Sequence, residues 1–188
     1  NTFKSGDKKR TKDEVQQMTV ALESYLKKLP QKLRATELRE LDNLLQVIGT
    51  EFHREAEKTL EKTTQMQALY VYEQYLRWFP NAKGYYTMAF NVAILAYQMG
   101  EFGRAAPLFE KVVELKPKDG VYLLPAAQTA MLCYYKTVDL AKLTDATDDG
   151  RADQEDLEAL PIDGNLAKML NAAERYIKLV NPDDPAAA

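Results

Sequence analysis

An internal repeat is the feature of this chain that most restricts its fold. When the segments that begin at Gly49, Tyr86 and Leu123 are superposed at an offset of 37 residues, residues of similar size coincide. Self-similarity at such a period is typical of stacked repeat architectures. The coincident positions are small residues, then aromatics one turn after the second small position, then prolines: Ala56, Ala93 and Ala130; Thr59, Ala96 and Cys133; Ala68 and Ala105; Tyr72 and Phe109; Pro80 and Pro117.

These residue types indicate that each unit consists of two helices. Where two helices cross closely, only a small side chain fits between the backbones, and an aromatic residue one turn away fills the wider gap. Proline ends the second helix because it has no N–H and disfavours helical backbone at the preceding residue. We therefore predict repeats at 49–82, 86–119 and 123–182, the third with its first helix at 121–143 and an acidic insertion at 144–164.

The rest of the chain is predicted to be helical or flexible, so the expected fold class is all-α. Residues 1–10 are polar and basic and are predicted to be a flexible N-terminus. Apolar residues at helical spacing on both sides of Pro30 predict an N-terminal helical hairpin over 11–48. Residues 183–188 are predicted to be a flexible tail.

The segment 86–119 resembles a tetratricopeptide repeat. That family's pattern of small residue, glycine, aromatic, alanine, aromatic and proline is met in register by Ala93, Gly100, Phe102, Ala105, Phe109 and Pro117. The departures are Ala89 and Ala96, where the family has large aromatic residues, and Thr63 in the first repeat, where it has glycine. The resemblance implies a right-handed helical solenoid. It also implies a scaffold that binds other proteins and catalyses no reaction.

The end of the predicted second helix in the first repeat resembles the repeats of bacterial cell-envelope proteins. The resemblance lies in the aromatic–Pro–Asn–Ala junction at Phe79 to Ala82. It implies a periplasmic or cell-envelope location, with the cytoplasm as the alternative. The sequence begins at Asn1 and not at Met, which is typical of a segment of a larger protein.

The resemblance also implies a concave groove lined by the first helix of each repeat. In the first repeat the corresponding residues are polar: Thr50, His53 and Glu57, followed by Leu60. In the other two repeats they include large apolar residues, predicted to bind a protein or peptide partner: Phe90, Ile94, Tyr97, Met131 and Tyr134. Exposed apolar patches usually mark a partner site. The alternative is that the N-terminal hairpin or the acidic insertion fills the groove.

The acidic insertion contains a segment similar to the calcium loop of an EF-hand. Over 145–156 the ligand positions are taken by Asp145, Thr147, Asp149, Arg151 (backbone carbonyl), Asp153 and Asp156, with Gly150 at the sharp turn. Two positions depart from the pattern: Asp156 replaces the usual bidentate Glu, and Ala152 replaces a branched apolar residue. A calcium-responsive structural module is therefore the alternative function, and a solvated acidic loop is the simpler interpretation.

Catalytic chemistry has few candidate residues in this sequence. The single cysteine, Cys133, occupies a small-residue position and is predicted to be buried, and the single histidine, His53, is predicted to form a solvated pair with Glu57 one turn away. No glycine-rich phosphate loop is present. A net charge of −3 gives no indication of nucleic-acid binding, and no apolar run is long enough to insert into a membrane. The expected protein is not an enzyme and needs no cofactor other than the calcium considered above.

Overall fold

Helices account for all the regular structure in the computed structural model, which describes residues 8–28, 30–115, 120–138, 162 and 164–181. In chain order these are α1 (Lys8–Lys28), α2 (Gln31–Thr59), α3 (Lys62–Trp78), α4 (Tyr85–Gln98), α5 (Phe102–Leu115), α6 (Leu123–Thr137) and α7 (Gly164–Val180). No strand occurs in these ranges, so the predicted all-α fold class is confirmed for them. The chain divides into two units, Asn1–Met99 with α1–α4 and Gly100–Ala188 with α5–α7.

The helix ends follow from the local backbone conformation. Pro30, with φ −57° and ψ 142°, precedes the first residue of α2. Gly100, with φ 74°, lies in the left-handed region between α4 and α5, at the glycine position that the repeat pattern predicts. Leu60 also has a left-handed backbone, with φ 54°, and its N–H donates to the Ala56 carbonyl at 2.9 Å. The chain therefore turns at Leu60, three residues before the alignment of the predicted first repeat with Gly100 would place the turn.

Helix α2 is continuous through Gly49, where the boundary between the N-terminal hairpin and the first repeat was predicted. The helix runs from Gln31 to Thr59 without interruption. The predicted second helix of the hairpin and the predicted first helix of the repeat are therefore one element. A single glycine lowers helix propensity but does not remove a backbone hydrogen bond, so it does not end a helix by itself.

In the first unit, α3 lies against each of the other three helices. Its buried residues include Ala68, Tyr72 and Tyr75, and α2 and α4 contribute Ala56 and Ala93 to the buried set. Helix α1 is connected to the C-terminal end of α3 through Glu23 on α1, which accepts a hydrogen bond from Trp78 Nε1 at 3.3 Å and pairs with Arg77 at 3.1 Å.

The second unit places α6 between α5 and α7. Phe109 and Ala105 of α5 and Ala130 and Cys133 of α6 are fully or almost fully buried. Ala172, at 3% exposure, is the one buried residue of α7. Its first turn is fixed to the end of α6 by Asn165, whose Nδ2 donates to the Thr137 carbonyl at 3.3 Å. Helix α6 ends at Thr137, earlier than the predicted 121–143 helix.

Candidate partner-binding surfaces

A polar centre lies around the Tyr72 hydroxyl in the first unit. Tyr72, on α3, is completely buried, and its hydroxyl lies near the polar side chains of Thr50 on α2 and Asn91 on α4. It also lies 3.3 Å from Nδ1 of His53 on α2, and the two rings meet edge to face at 5.8 Å. Burial, opposed by the Thr50 and Asn91 side chains, raises the pKa of Tyr72 to about 12. This hydroxyl is therefore a neutral structural group at physiological pH.

The structure corrects the prediction that His53 and Glu57 form a solvated pair. The His53 side chain is only 13% exposed, and its Nε2 atom is buried without a hydrogen-bond partner. Glu57 is exposed, and its Oε1 is 3.9 Å from Nε2, which is too far for a hydrogen bond. Burial lowers the pKa of His53, and the nearby Glu57 carboxylate partly opposes this effect. His53 is thus a neutral packing residue of the first unit.

Three of the predicted partner-binding residues lie on α4 in the first unit. Phe90, Ile94 and Tyr97 are half-buried. Helix α4 contains no acidic or basic residue, whereas Glu57 and Glu61 are exposed on or just after α2. This unit therefore has large apolar side chains on α4 and exposed carboxylates on α2 and just after it.

The remaining predicted residues lie on α6 in the second unit, and here the structure changes the assignment. Met131 is half-buried, but Tyr134 is only 6% exposed. The Tyr134 hydroxyl donates to Glu110 Oε2 of α5 at 2.7 Å, and Glu110 Oε1 pairs with Arg175 of α7 at 3.2 Å. Burial, followed by the contact with the Glu110 carboxylate, raises the pKa of Tyr134. Tyr134 is therefore a core residue that connects α5 to α6, and it is not available to a partner.

The exposed apolar side chains of α6 include Leu132 and Tyr135. Each comes one residue after a predicted partner-binding residue, Met131 or Tyr134. We define the α6 outer face as four residues at helical spacing, with Gln128 exposed among them: Leu124, Met131, Leu132 and Tyr135. Leu124, Leu132 and Tyr135 are 45%, 38% and 50% exposed. The sequence did not single out Leu132 and Tyr135, because every residue from Ala130 to Tyr135 is apolar or small. Periodicity cannot choose a face in such a run.

Lys136 is the only charged residue on α6. Its ammonium group lies 5.0 Å from the centroid of the Phe102 ring of α5, a cation–π distance. The α6 outer face is thus uncharged and is bordered by one cation. Side chains of this kind are unusual on a surface that contacts only water.

The nucleophile and ligand chemistry of the described residues is limited. Cys133 is buried as predicted, and burial raises the pKa of its thiol to about 11, so the thiolate is scarce at neutral pH. The described residues contain no group of three or more His, Cys, Asp or Glu that could hold a metal ion. Within the same ranges, no helix has the length and apolarity that a membrane span requires.

The predicted calcium ligands lie outside the described residues, so the calcium hypothesis stays a prediction from the sequence. These residues are Asp145, Thr147, Asp149, Arg151, Asp153 and Asp156. Comparison of the chain with protein-family models, with curated proteins and with solved structures gives no match. The function is therefore inferred from the sequence pattern and from the surfaces described above.

Proposed function

We propose that this chain is a non-enzymatic scaffold for protein–protein interaction, built as a segment of a tetratricopeptide-like right-handed solenoid. The proposal is supported by the repeat pattern of 86–119 and by the burial of its small and aromatic positions. Ala93, Ala105 and Phe109 are completely buried, and their equivalents Ala56 and Tyr72 in the first repeat are buried as well.

The α6 outer face is the observation that carries this proposal. A solenoid unit buries its core between its own helices and those of its neighbours. Leu124, Leu132 and Tyr135 are not used in this way, because each remains more than a third exposed. A partner that covers them removes apolar surface from water, which is the main favourable term in most protein association.

The partner that fits the α6 outer face best is an amphipathic helix. The exposed apolar residues lie at helical spacing along α6, and a second helix can lie along them with its own apolar stripe. Lys136 at the border favours an acidic residue on the partner. The half-buried Phe90, Ile94 and Tyr97 on α4 are a second candidate contact, in the first unit.

The envelope location belongs to the same proposal. It rests on the aromatic–Pro–Asn–Ala junction at Phe79 to Ala82, which resembles the repeats of bacterial envelope proteins. We propose that the chain is a segment of a larger envelope or surface-machinery protein and that it recruits a protein partner there.

Photo-crosslinking in the cells of origin tests the scaffold function. A photoreactive phenylalanine is placed at Leu132, at Tyr135 and, as a matched control, at Lys111, an exposed residue of α5 in the same unit. We expect one protein to crosslink from the two α6 positions and not from the control. The double variant Leu132→Ser/Tyr135→Ser should then weaken binding of that purified partner by about 30-fold or more, as for interface anchors. Its free energy of unfolding should be unchanged.

Equal crosslinking from the α6 positions and from the control would contradict the proposal. So would a double variant that binds the purified partner with wild-type affinity. Crosslinking from a position at Ile94, made in parallel, decides whether the α4 residues contact the same partner.

A further inference from the structure

The polar centre of the first unit contains His53, the only histidine of the chain. One of its ring nitrogens, Nε2, is buried without a hydrogen-bond partner. His53 Nδ1 lies 3.3 Å from the Tyr72 hydroxyl, and the polar side chains of Thr50 and Asn91 are close to that hydroxyl. These four side chains lie on α2, α3 and α4. We call them the His53 centre.

A neutral His53 ring keeps its hydrogen bond to Tyr72 in this centre. The Tyr72 hydroxyl can either donate to Nδ1 or accept from Nδ1–H, so both neutral tautomers keep this hydrogen bond. Nε2 is buried and has no partner. The ring of Tyr72 cannot move aside easily, because it is completely buried and packs against the backbone of α2 at Gly49.

A protonated His53 ring has a buried N–H without an acceptor. Both ring nitrogens of a histidinium are donors, so Tyr72 can then only accept from His53. The second N–H, at Nε2, is sealed from water and has no acceptor within hydrogen-bond distance. The nearest carboxylate oxygen, Glu57 Oε1, is 3.9 Å away on an exposed side chain. A buried donor without an acceptor destabilises the folded state by about 1–3 kcal/mol, and more for a charged group.

The surrounding helices supply little compensating charge. Helix α4 has no acidic or basic residue, and it reaches the centre through the Asn91 amide. Helix α3 faces the ring with the Tyr72 hydroxyl, which is neutral at physiological pH. On α2, Glu51 is paired with Arg54 at 2.8 Å. Among the described residues, Glu57 is the one charged group that stabilises the histidinium.

We propose that the His53 centre is a proton-operated release within the first unit: uptake of one proton by His53 loosens α2 from α3. Either the ring leaves its place beside Tyr72 to reach water, or Glu57 moves inward to accept from Nε2–H. Both movements change the packing of α2 against the Tyr72 ring of α3. This device goes beyond the proposed scaffold function and does not depend on it.

The direction of the pH effect follows from the environment of the ring. Burial lowers the pKa of His53 in the folded state below its ordinary value of 6.5. Above pH 6.5 the ring is neutral in both the folded and the unfolded chain, and the full stability is present. As the pH falls below that value the unfolded chain binds the proton first, so stability is lost until the pH reaches the lowered folded-state pKa.

The experiment combines a proton NMR titration with chemical unfolding of the whole chain, without a histidine tag. Because His53 is the only histidine, one imidazole resonance reports its protonation. We expect a midpoint clearly below 6.5 in the folded chain. We also expect the unfolding equilibrium constant to rise, by up to about tenfold, between about pH 7.5 and 5.5, a range above that in which ordinary carboxylates titrate.

Three variants separate a proton-operated device from a general sensitivity to acid. His53→Gln keeps a side chain that can hydrogen-bond to Tyr72 but cannot bind a proton, and it should abolish the rise over this pH range. Glu57→Gln should lower the His53 midpoint further, because it removes the one stabilising carboxylate. Glu55→Gln makes the same charge change on the exposed surface of α2 and should leave the midpoint unchanged.

A folded-state midpoint at or above 6.5 would overturn the proposal. An unchanged rise in the His53→Gln variant would do the same. If that variant does not fold, the titration of the wild-type chain and of Glu57→Gln still decides the matter, since neither removes the ring.

Discussion

Replacing Gly49 with Ala sets two effects of opposite sign against each other in the middle of α2. In an ordinary helix interior, alanine is more favourable than glycine by roughly 1 kcal/mol. At this position, however, a Cβ atom would lie 2.5 Å from Cε1 and 2.7 Å from Cδ1 of the Tyr72 ring. Those distances are far inside van der Waals contact, so either the ring or the helix must move.

The ring is poorly able to move, because Tyr72 is completely buried and its hydroxyl is in contact with His53 Nδ1 at 3.3 Å. Overpacking of this kind destabilises by roughly 1–3 kcal/mol, which equals or exceeds the gain in helix propensity. We expect Gly49→Ala to lower the free energy of unfolding by up to about 2 kcal/mol in a urea titration followed by circular dichroism.

Gly103 provides the matched control for this prediction. It lies in the first turn of α5, and a Cβ there would have no neighbour within 4 Å. Gly103→Ala should therefore be neutral or stabilising by up to about 1 kcal/mol. If Gly49→Ala stabilises the chain as Gly103→Ala does, the close packing of α2 against the Tyr72 ring is refuted.

Three further predictions follow from the sequence and the helix geometry. Ala93→Leu should destabilise by roughly 1–3 kcal/mol, because Ala93 is completely buried; an unchanged thermal midpoint would contradict the repeat register. Leu60→Gly should be more stable than Leu60→Ala by about 1 kcal/mol in urea unfolding, because only glycine adopts the φ of 54° without strain, and equal stabilities would argue against that turn. Millimolar calcium should raise the melting temperature if the 145–156 loop binds it, and Asp145→Ala and Asp149→Ala should abolish the rise; a wild-type chain unaffected by calcium would end that hypothesis.

Several buried positions could be predicted from the sequence, because a close approach of two helices restricts residue size. Ala56, Ala93 and Ala130 are buried, as their coincidence at one offset predicts. The same argument was less accurate at Thr59, which is half-buried and whose hydroxyl donates to the Glu55 carbonyl at 3.0 Å. A small side chain is necessary at a crossing, but it does not prove that a crossing is present.

The helix boundaries and the His53 centre could not be read in the same way. A glycine in a helical pattern is compatible with a break or with a close contact, and at Gly49 the structure has the contact. His53 and Tyr72 are 19 residues apart on different helices, and their pairing depends on how α2 and α3 are rotated against each other. Spacing within one helix gives only the pair of His53 with Glu57, which is why it was interpreted as a solvated pair.

The orientation of α6 about its own axis could not be predicted from residue spacing either. Two neighbouring residues, Tyr134 and Tyr135, provide a test of it. Tyr134 is 6% exposed with its hydroxyl on Glu110, whereas Tyr135 is 50% exposed. Tyr134→Phe removes a hydrogen bond to a charged acceptor inside the second unit and should lower the free energy of unfolding by about 1–2 kcal/mol. Tyr135→Phe removes only a solvated hydroxyl and should change it by less than about 0.5 kcal/mol. Because both changes delete one oxygen atom from the same residue type, any difference reports the orientation of the helix. Equal effects in the two variants, or a larger effect at Tyr135, would mean that α6 faces the way the repeat alignment predicted, and the α6 outer face would then have to be redrawn around Tyr134.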